Sequence, residues 1–176
     1  MHIAALYCLM KVIDFITEKK LQSRVEIASV RQNADPAILS LVFGLPLRKS
    51  RAVRRLGSYV ARSGVPIEIR LQFSQEEELL IETFLHELAH CLDHLSNQAG
   101  QPYRKAHGPG WRNWAVALGI EPSRCGESRV LRDLVESRLK VVAVCIDCGY
   151  ELRRLRKLPR RRRYIHPQCG GRLKPV

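Results

Sequence analysis

Two histidines and a glutamate within five consecutive positions form the clearest chemical motif of this sequence. His86 and His90 are four residues apart, so that on a helix both side chains project from one face, about one turn apart. Two imidazoles in this arrangement can bind one Zn²⁺, and Glu87 between them can serve as general base toward a water molecule. The motif therefore predicts a zinc hydrolase site, in which Glu87 takes a proton from the water and passes it to the leaving amine.

A catalytic zinc needs a third protein ligand, for which the sequence offers several candidates. His94 continues the four-residue series, but it lies ~12 Å along the helix axis from His86, too far to share one ion. Glutamate serves as the third ligand in thermolysin-like enzymes, and the candidates here are Glu121, Glu127 and Glu136. We favour His107, because it lies in a loop rich in glycine and proline, seventeen residues after His90, and precedes a helix that two tryptophans can fix to the core.

A second set of metal-ligand residues lies near the C-terminus. Cys145-x-x-Cys148 and His166-x-x-Cys169 are separated by seventeen residues, the spacing of a two-knuckle structural zinc site. A short segment of this kind has little core, so zinc is expected to supply most of its folding free energy. Cys125 has no partner of matching spacing and is expected to be a plain thiol.

Apolar periodicity and turn residues predict the elements that must position these groups. Apolar residues at helical spacing predict a helix over residues 3–20, and a capping pattern predicts another over residues 36–43. Alternating apolar residues predict strands over residues 58–61 and 66–73, joined at Ser63-Gly64. The sequence thus predicts an α+β protein.

The helix that carries the histidine motif is expected to start at residues 74–77, because Ser-Gln-Glu-Glu has the form of a capping box. It should end near Asn97, ahead of a glycine. Shorter helices are predicted over residues 111–118 and 127–140. Paired metal-ligand residues begin soon after Val141, so a domain boundary is predicted there.

The charge of the chain is large and localised. Its formal net charge is +13, and 45% of its residues are hydrophobic, enough for a packed core. Residues 48–70 carry seven basic side chains against one acidic, and residues 145–176 carry ten against two. Clusters of this size favour phosphate contacts of a nucleic acid over a merely solvated surface. In the second cluster, the predicted nucleic-acid-binding residues are Arg153, Arg154, Arg156, Lys157, Arg160, Arg161, Arg162 and Arg163.

The two histidine segments together resemble a known family. The run His-Glu-Leu-Ala-His at residues 86–90, followed by His-Gly-Pro-Gly-Trp at residues 107–111, is similar to the SprT-like metallopeptidases, which include the Spartan proteases. That family combines HExxH with a third histidine in an H-G-x-x-W/F segment. The resemblance covers about residues 45–176, whereas residues 1–44 match only loosely.

The resemblance implies a minimal zincin-like fold and a function. It implies that His86, His90 and His107 bind the catalytic zinc, that Glu87 is the base, and that a C-terminal zinc ribbon holds a second zinc. It further implies cleavage of proteins bound or crosslinked to DNA, with DNA as activator. The predicted domains are a helical extension over residues 1–44, the metallopeptidase domain over 45–140 and the ribbon with its arginine-rich hairpin over 141–176.

Two rival functions remain open: a non-catalytic zinc-ribbon protein that binds nucleic acid, and a zinc hydrolase that acts on another amide. The expected partners are protein substrates and single-stranded or damaged DNA, with no membrane, because the longest apolar stretch is too short to span a bilayer. The expected location is the cytoplasm in association with DNA, or the nucleus in a eukaryote. Tyr103 and His94 are candidates for stabilising the oxyanion.

Overall fold

The computed structural model describes residues 10–122 and 126–176, and its helices and small sheets confirm the α+β prediction. The chain divides into two compact units, residues 1–130 and 131–176, called here the N-terminal and C-terminal units. Each is described by itself. The predictions for the first nine residues and for Cys125 lie outside the described residues.

Three short helices come first in the described part of the N-terminal unit: α1 (Val12–Glu18), α2 (Gln22–Arg31) and α3 (Pro36–Gly44). Within the described residues, the helix predicted over residues 3–20 is confirmed over Val12–Glu18 but is shorter, because Lys11 forms a β-bridge with Pro46 and the helix ends at Glu18. The sequence did not predict α2. The prediction of α3 is confirmed.

A three-stranded sheet follows, with β1 (Leu47–Lys49), β2 (Gly57–Arg62) and β3 (Val65–Leu71) in the order β1-β3-β2. β1 is parallel to β3 and β2 is antiparallel to it. The hairpin turn predicted at Ser63-Gly64 is confirmed, since both residues have positive φ, 50° and 80°. Because β2 stands at one end of the strand order, it is an edge strand of this sheet.

Helix α4 (Glu77–Asn97) is the longest element, with 21 residues, and it packs against β2, β3 and α3. The predicted capping box is wrong: Glu76 is the N-cap residue, and no side chain caps α4. The Glu76 side chain instead accepts hydrogen bonds from the Arg129 and Val130 amides, at 2.9 and 3.3 Å. The predicted end of the helix is confirmed.

Helix α5 (Pro109–Ala117) packs against α4 and α2. It ends where predicted, before Gly119 with φ +71°. Fully buried Phe15, Phe84 and Trp111 belong to the core that α1, α4 and α5 share. No helix in the described residues is both long enough and apolar enough to cross a lipid bilayer.

The last helix, α6 (Arg129–Glu136), is shorter than the helix predicted over residues 127–140, because Lys140 already belongs to a strand. The C-terminal unit contains the antiparallel strands β4 (Lys140–Cys145), β5 (Glu151–Arg154) and β6 (Leu173–Pro175), in the order β5-β4-β6. The residues of its small core are Val142, Ala143, Cys145, Leu158 and Leu173. The three-domain division predicted from the sequence stays a prediction.

Candidate active site and metal centres

Three histidine rings converge in the N-terminal unit. The Nε2 atom of His90 lies 3.2 Å from that of His86 and 3.2 Å from that of His107, and the remaining pair is 3.1 Å apart. In a tetrahedral site with Zn–N bonds of about 2.0–2.1 Å, ligand nitrogens are roughly 3.3 Å apart. The three imidazoles are therefore compatible with zinc. Among the described residues, the cluster contains none of the glutamates considered as third ligand.

Two elements bring these rings together. His86 and His90 lie one turn apart on α4, whereas His107 precedes α5 with φ +64°, a left-handed conformation that costs an L residue roughly 1–2 kcal/mol. Trp111, in the first turn of α5, is fully buried and contacts all three rings, with centroid distances of 4.8, 5.3 and 4.5 Å. Its Nε1 also donates a hydrogen bond to the His86 carbonyl at 3.3 Å. Trp111 thus fixes α5 and the His107 loop against α4.

Burial keeps the imidazoles of His86 and His90 neutral. It lowers the pKa of His86 to about 4, with a further contribution from His107. It lowers the pKa of His90 to about 3, and the other two histidines add to that effect. Neutral imidazole is the form that binds a metal ion, so both rings are in the ligand form at neutral pH.

Glu87 is buried beside the histidine cluster, with only 8% of its surface exposed. Its Oε2 accepts a hydrogen bond of 2.6 Å from the Tyr59 amide of β2. Burial raises the pKa of Glu87 to about 7, and the Tyr59 N–H partly opposes that rise. Glu87 and His86 line one cavity of about 260 Å³, which also contacts Gly57 at the start of β2. A carboxylate of raised pKa in a cavity beside a metal site suits proton transfer.

A hydrogen-bond chain behind His90 orients its ring. Tyr103 Oη donates to Asp93 Oδ2 at 2.8 Å, and the same oxygen lies 3.0 Å from His90 Nδ1. Because the Tyr103 proton is directed at Asp93, Nδ1–H of His90 is the donor to Tyr103, and the Nε2 lone pair remains for a metal ion. Burial and the bond to Asp93 raise the pKa of Tyr103, so it remains a hydroxyl. The sequence did not indicate a role for Asp93.

Neither residue considered for oxyanion stabilisation faces the cluster with a free donor. Tyr103 already bonds to the outer nitrogen of His90. His94 is fully buried, with its Nε2 bonded to the Gln101 carbonyl at 2.8 Å and its Nδ1 to the Tyr59 hydroxyl at 2.7 Å. Its expected exclusion from the histidine cluster agrees with this geometry.

The C-terminal unit contains the second cluster. Cys148 Sγ and Cys169 Sγ lie 3.3 and 3.1 Å from His166 Nδ1, and Cys145 Sγ lies 3.5 Å from Cys169 Sγ. Tetrahedral zinc with Zn–S bonds of about 2.3 Å places such atoms roughly 3.5–3.8 Å apart. The four atoms agree with that spacing to within a few tenths of an ångström, so this cluster is also compatible with zinc.

The predicted nucleic-acid-binding residues of the C-terminal unit are all exposed. Within the described residues, Arg153 is paired with Glu151 at 3.0 Å, and the other seven form no recorded ion pair. Of the two tyrosines nearby, Tyr150 is 45% exposed and stacks on His166 at 4.3 Å, whereas Tyr164 packs against the small core.

The sequence profile of the SprT-like family matches residues 16–129, well over half of the chain. The chain belongs to the SprT-like family. Membership indicates a zinc metalloprotease-type function, in agreement with the convergence of three histidines beside Glu87. The match begins within α1, so it extends further toward the N-terminus than the resemblance of the motifs, and it ends before the cysteine cluster. No curated protein and no solved structure matches this SprT-like chain.

Proposed function

We propose that this SprT-like protein is a zinc-dependent endopeptidase that cleaves proteins bound or crosslinked to DNA, with DNA as activator. The observation that carries the proposal is the convergence of three imidazole nitrogens within 3.2 Å of one another beside the buried carboxylate of Glu87. His86 of this cluster and Glu87 line one cavity, as a hydrolytic site requires.

In the proposed mechanism, His86, His90 and His107 hold the catalytic zinc. Zinc bound there would polarise the scissile carbonyl and lower the pKa of water from ~15.7 toward ~7. Glu87 takes a proton from the attacking water and delivers it to the leaving nitrogen. The Tyr59 amide holds one oxygen of Glu87 during both transfers, so the carboxylate is oriented by the sheet.

The location of the sheet edge favours an extended peptide over a small amide as substrate. β2 is an edge strand, and edge strands present backbone N–H and C=O groups that an extended peptide can pair with. Gly57 of this strand borders the cavity that Glu87 lines, and Tyr59 of the same strand contacts Glu87 directly. A peptide paired with β2 would therefore pass the candidate site.

The charge of the C-terminal unit supports the DNA part of the proposal. Seven of its eight predicted contact residues are exposed cations without a recorded carboxylate partner. Such residues favour phosphate contacts that do not depend on sequence. A second, structural zinc held by Cys145, Cys148, His166 and Cys169 would form the ribbon that presents them.

The proposal is tested by cleavage of a DNA-bound protein with the parent and with Glu87→Gln. The variant keeps the shape of the side chain and an acceptor for the Tyr59 amide, but it removes the base. We expect a loss of turnover of roughly 10²- to 10⁴-fold with zinc content unchanged. Glu82→Gln is the matched control, because Glu82 lies on the same helix and lines the same cavity but has no part in the proton transfer. It should retain turnover.

The same experiment distinguishes the rival functions. Turnover by Glu87→Gln equal to that of the parent would refute the mechanism. Nucleic-acid binding without cleavage by any variant would favour the non-catalytic ribbon protein, and cleavage of small amides alone would favour the other hydrolase. Activity of the parent that does not change between low and high salt would argue against DNA as activator.

A further inference from the structure

Two arginines lie side by side on the sheet of the N-terminal unit. Arg48 of β1 and Arg70 of β3 are register partners, so their backbones are about 4.8 Å apart. The Glu68 side chain is only 8% exposed. Its carboxylate accepts hydrogen bonds from Arg48 Nε at 2.8 Å and from Arg70 Nε at 2.6 Å. One buried carboxylate thus holds two guanidinium groups whose side chains remain 55% and 50% exposed. The trio keeps a net positive charge in a fixed position.

The loop between β1 and β2 adds three more arginines. Its backbone is attached to the end of β3: the Ser50 amide donates to the Leu71 carbonyl at 2.6 Å, and the Gln72 amide donates to the Leu56 carbonyl at 2.8 Å. Gln72 Nε2 also donates to the Ala52 carbonyl at 2.8 Å. The loop is therefore held against the sheet. The exposed cations that it presents are Arg51, Arg54 and Arg55.

No carboxylate among the described residues is recorded in an ion pair with Arg51, Arg54 or Arg55. Arg54 lines the same cavity as His86 and Glu87. Cationic side chains therefore occur on the sheet face, along a loop fixed by hydrogen bonds, and, as Arg54, in the lining of the candidate active-site cavity, which Glu82 and Glu121 also line. Charge that served solubility alone would not need this arrangement.

We propose that Arg48, Arg51, Arg54, Arg55 and Arg70, the arginine surface, form a second nucleic-acid contact, which binds the phosphate backbone of a single strand next to the candidate active site. The inference rests on the proposed function for its purpose, because it would bring a nucleic acid and the protein attached to it to the catalytic cavity. It is separate from the cations of the C-terminal unit, to which the nucleic-acid binding was assigned.

The composition of the surface favours phosphates over bases or lipids. Residues 48–56 contain no aromatic side chain on which a base could stack, so binding should depend little on sequence. Val53 and Leu56, the only large apolar residues of that segment, are partly buried, and membrane-binding surfaces normally add exposed apolar anchors to their cations. Guanidinium groups fixed by a buried carboxylate suit repeated contacts with phosphate oxygens.

The test measures binding of the zinc-loaded, full-length protein to a fluorescent single-stranded oligothymidylate by anisotropy at several salt concentrations. The variant is Arg51→Gln/Arg54→Gln/Arg55→Gln, which leaves the trio around Glu68 intact. Each phosphate contact on a single strand contributes ~0.7 to the slope of log Kobs against log salt, so the slope should become shallower by ~2. If parent and variant bind equally at an extrapolated 1 M salt, a slope difference of ~2 means that the variant binds ~100-fold more weakly than the parent at 0.1 M salt.

The chain offers a control with the same loss of charge in the same unit. Lys20, Arg31 and Arg62 are exposed and lie outside the loop and the trio, so Lys20→Gln/Arg31→Gln/Arg62→Gln should keep the parent slope. The corresponding Arg→Lys triple in the loop should also keep most of it, because the contacts are electrostatic. Zinc content and thermal melting of every variant verify folding.

Three outcomes would overturn the inference. The first is an unchanged slope in the glutamine triple, and the second is an equal change in the control triple. The third is binding to phosphatidylserine vesicles that depends on the loop arginines while oligonucleotide binding does not, which would assign the surface to a membrane. Failure of the proposed function gives a different result, since a protein that never cleaves a substrate would still show the slope difference between the two triples.

Discussion

Removal of the Tyr103 hydroxyl should weaken zinc binding at the histidine cluster although no ligand is removed. In the parent, Tyr103 accepts the Nδ1–H bond of His90 and donates its own proton to Asp93. Tyr103→Phe leaves His90 Nδ1 and Asp93 Oδ2 without this partner, whereas Asp93 Oδ1 keeps its bond from Asn97 Nδ2 at 2.8 Å. The His90 ring is then free to rotate or to change tautomer, and either change competes with zinc for Nε2.

The size of the effect follows from burial. His90 and Asp93 are 6% and 4% exposed, so water replaces the lost hydroxyl poorly. Substitution of residues that orient metal ligands in this way typically lowers metal affinity by 10- to 100-fold, which corresponds to about 1.4–2.7 kcal/mol of binding free energy. An unsatisfied buried polar group costs about 1–3 kcal/mol, in the same range. We expect the upper half of that range, because two buried groups lose their partner.

The assay is competition for zinc between the full-length protein and a chromophoric chelator. Tyr59→Phe is the matched control: its hydroxyl bonds at 2.7 Å to His94, which is not part of the cluster, and it too is a partly buried tyrosine next to α4. Each variant loses a hydroxyl that bonds to a histidine and to a second buried group, Asp93 for Tyr103 and Cys91 for Tyr59, so their thermal stabilities should fall by similar amounts. Only Tyr103→Phe should release zinc at lower chelator concentration.

Two results would refute this reasoning. One is a Tyr103→Phe protein that holds zinc as tightly as the parent, which would mean that packing against Trp111 alone orients His90. The other is an equal loss of zinc affinity in Tyr59→Phe, which would mean that the effect reflects the stability of the whole unit rather than the orientation of one ligand.

Three further predictions concern the sheet, the second cluster and acid. Gly57→Ala should lower turnover up to ~100-fold with zinc retained, because a Cβ at this position would lie 2.6 Å from Thr83 Cγ2 and 3.0 Å from Glu87 Cγ. The measurement is kcat and zinc content. The control is Gly44→Ala, whose Cβ would meet nothing within 4 Å. Cys148→Ser should remove one zinc per chain and unfold the C-terminal unit, while tryptophan fluorescence, which arises only from Trp111 and Trp114 in the N-terminal unit, stays unchanged. Chelator-treated protein should melt at lower temperature at pH 5 than at pH 7, again followed by tryptophan fluorescence. The pKa values of His86 and His90 in the folded state, about 4 and about 3, lie below the unfolded value of 6.5, so at pH 5 the unfolded chain binds two protons that the folded chain does not, which lowers stability. Glu87, with a folded-state pKa of about 7, binds one proton at pH 5 only in the folded chain, which partly offsets this loss of stability.

The two candidate metal-binding clusters could be anticipated from the sequence because the spacing within each motif is local. On a helix, a spacing of four residues determines that His86 and His90 share a face, whatever surrounds them. The two pairs of the second cluster have the same property, since each pair lies within one tight turn. His107 required more than spacing: its glycine- and proline-rich loop and the tryptophans after it favoured it over three glutamates, and the resemblance to a family agreed.

The groups that orient these ligands could not be identified, because their contacts depend on how separate segments fold against each other. Tyr59 reaches Glu87 from a strand 28 residues earlier, and Tyr103 reaches Asp93 across a loop. Neither relation leaves a repeating pattern in the sequence. The wrong capping box has a similar cause. Glu76 had the residue type for the first turn of α4, but its side chain bonds to the start of α6.

Gly110 connects the local motif with the tertiary structure. A Cβ at this position would collide with Asp93 Oδ1 and lie 2.8 Å from Asn97 Nδ2, so glycine allows the first turn of α5 to approach α4 closely. That approach places Trp111 against the three rings and brings His107, which directly precedes the N-cap residue of α5, into the cluster. The residue that α5 approaches, Asp93, also anchors the tyrosine that orients His90. One close contact between two helices therefore supports both the position of His107 and the orientation of His90.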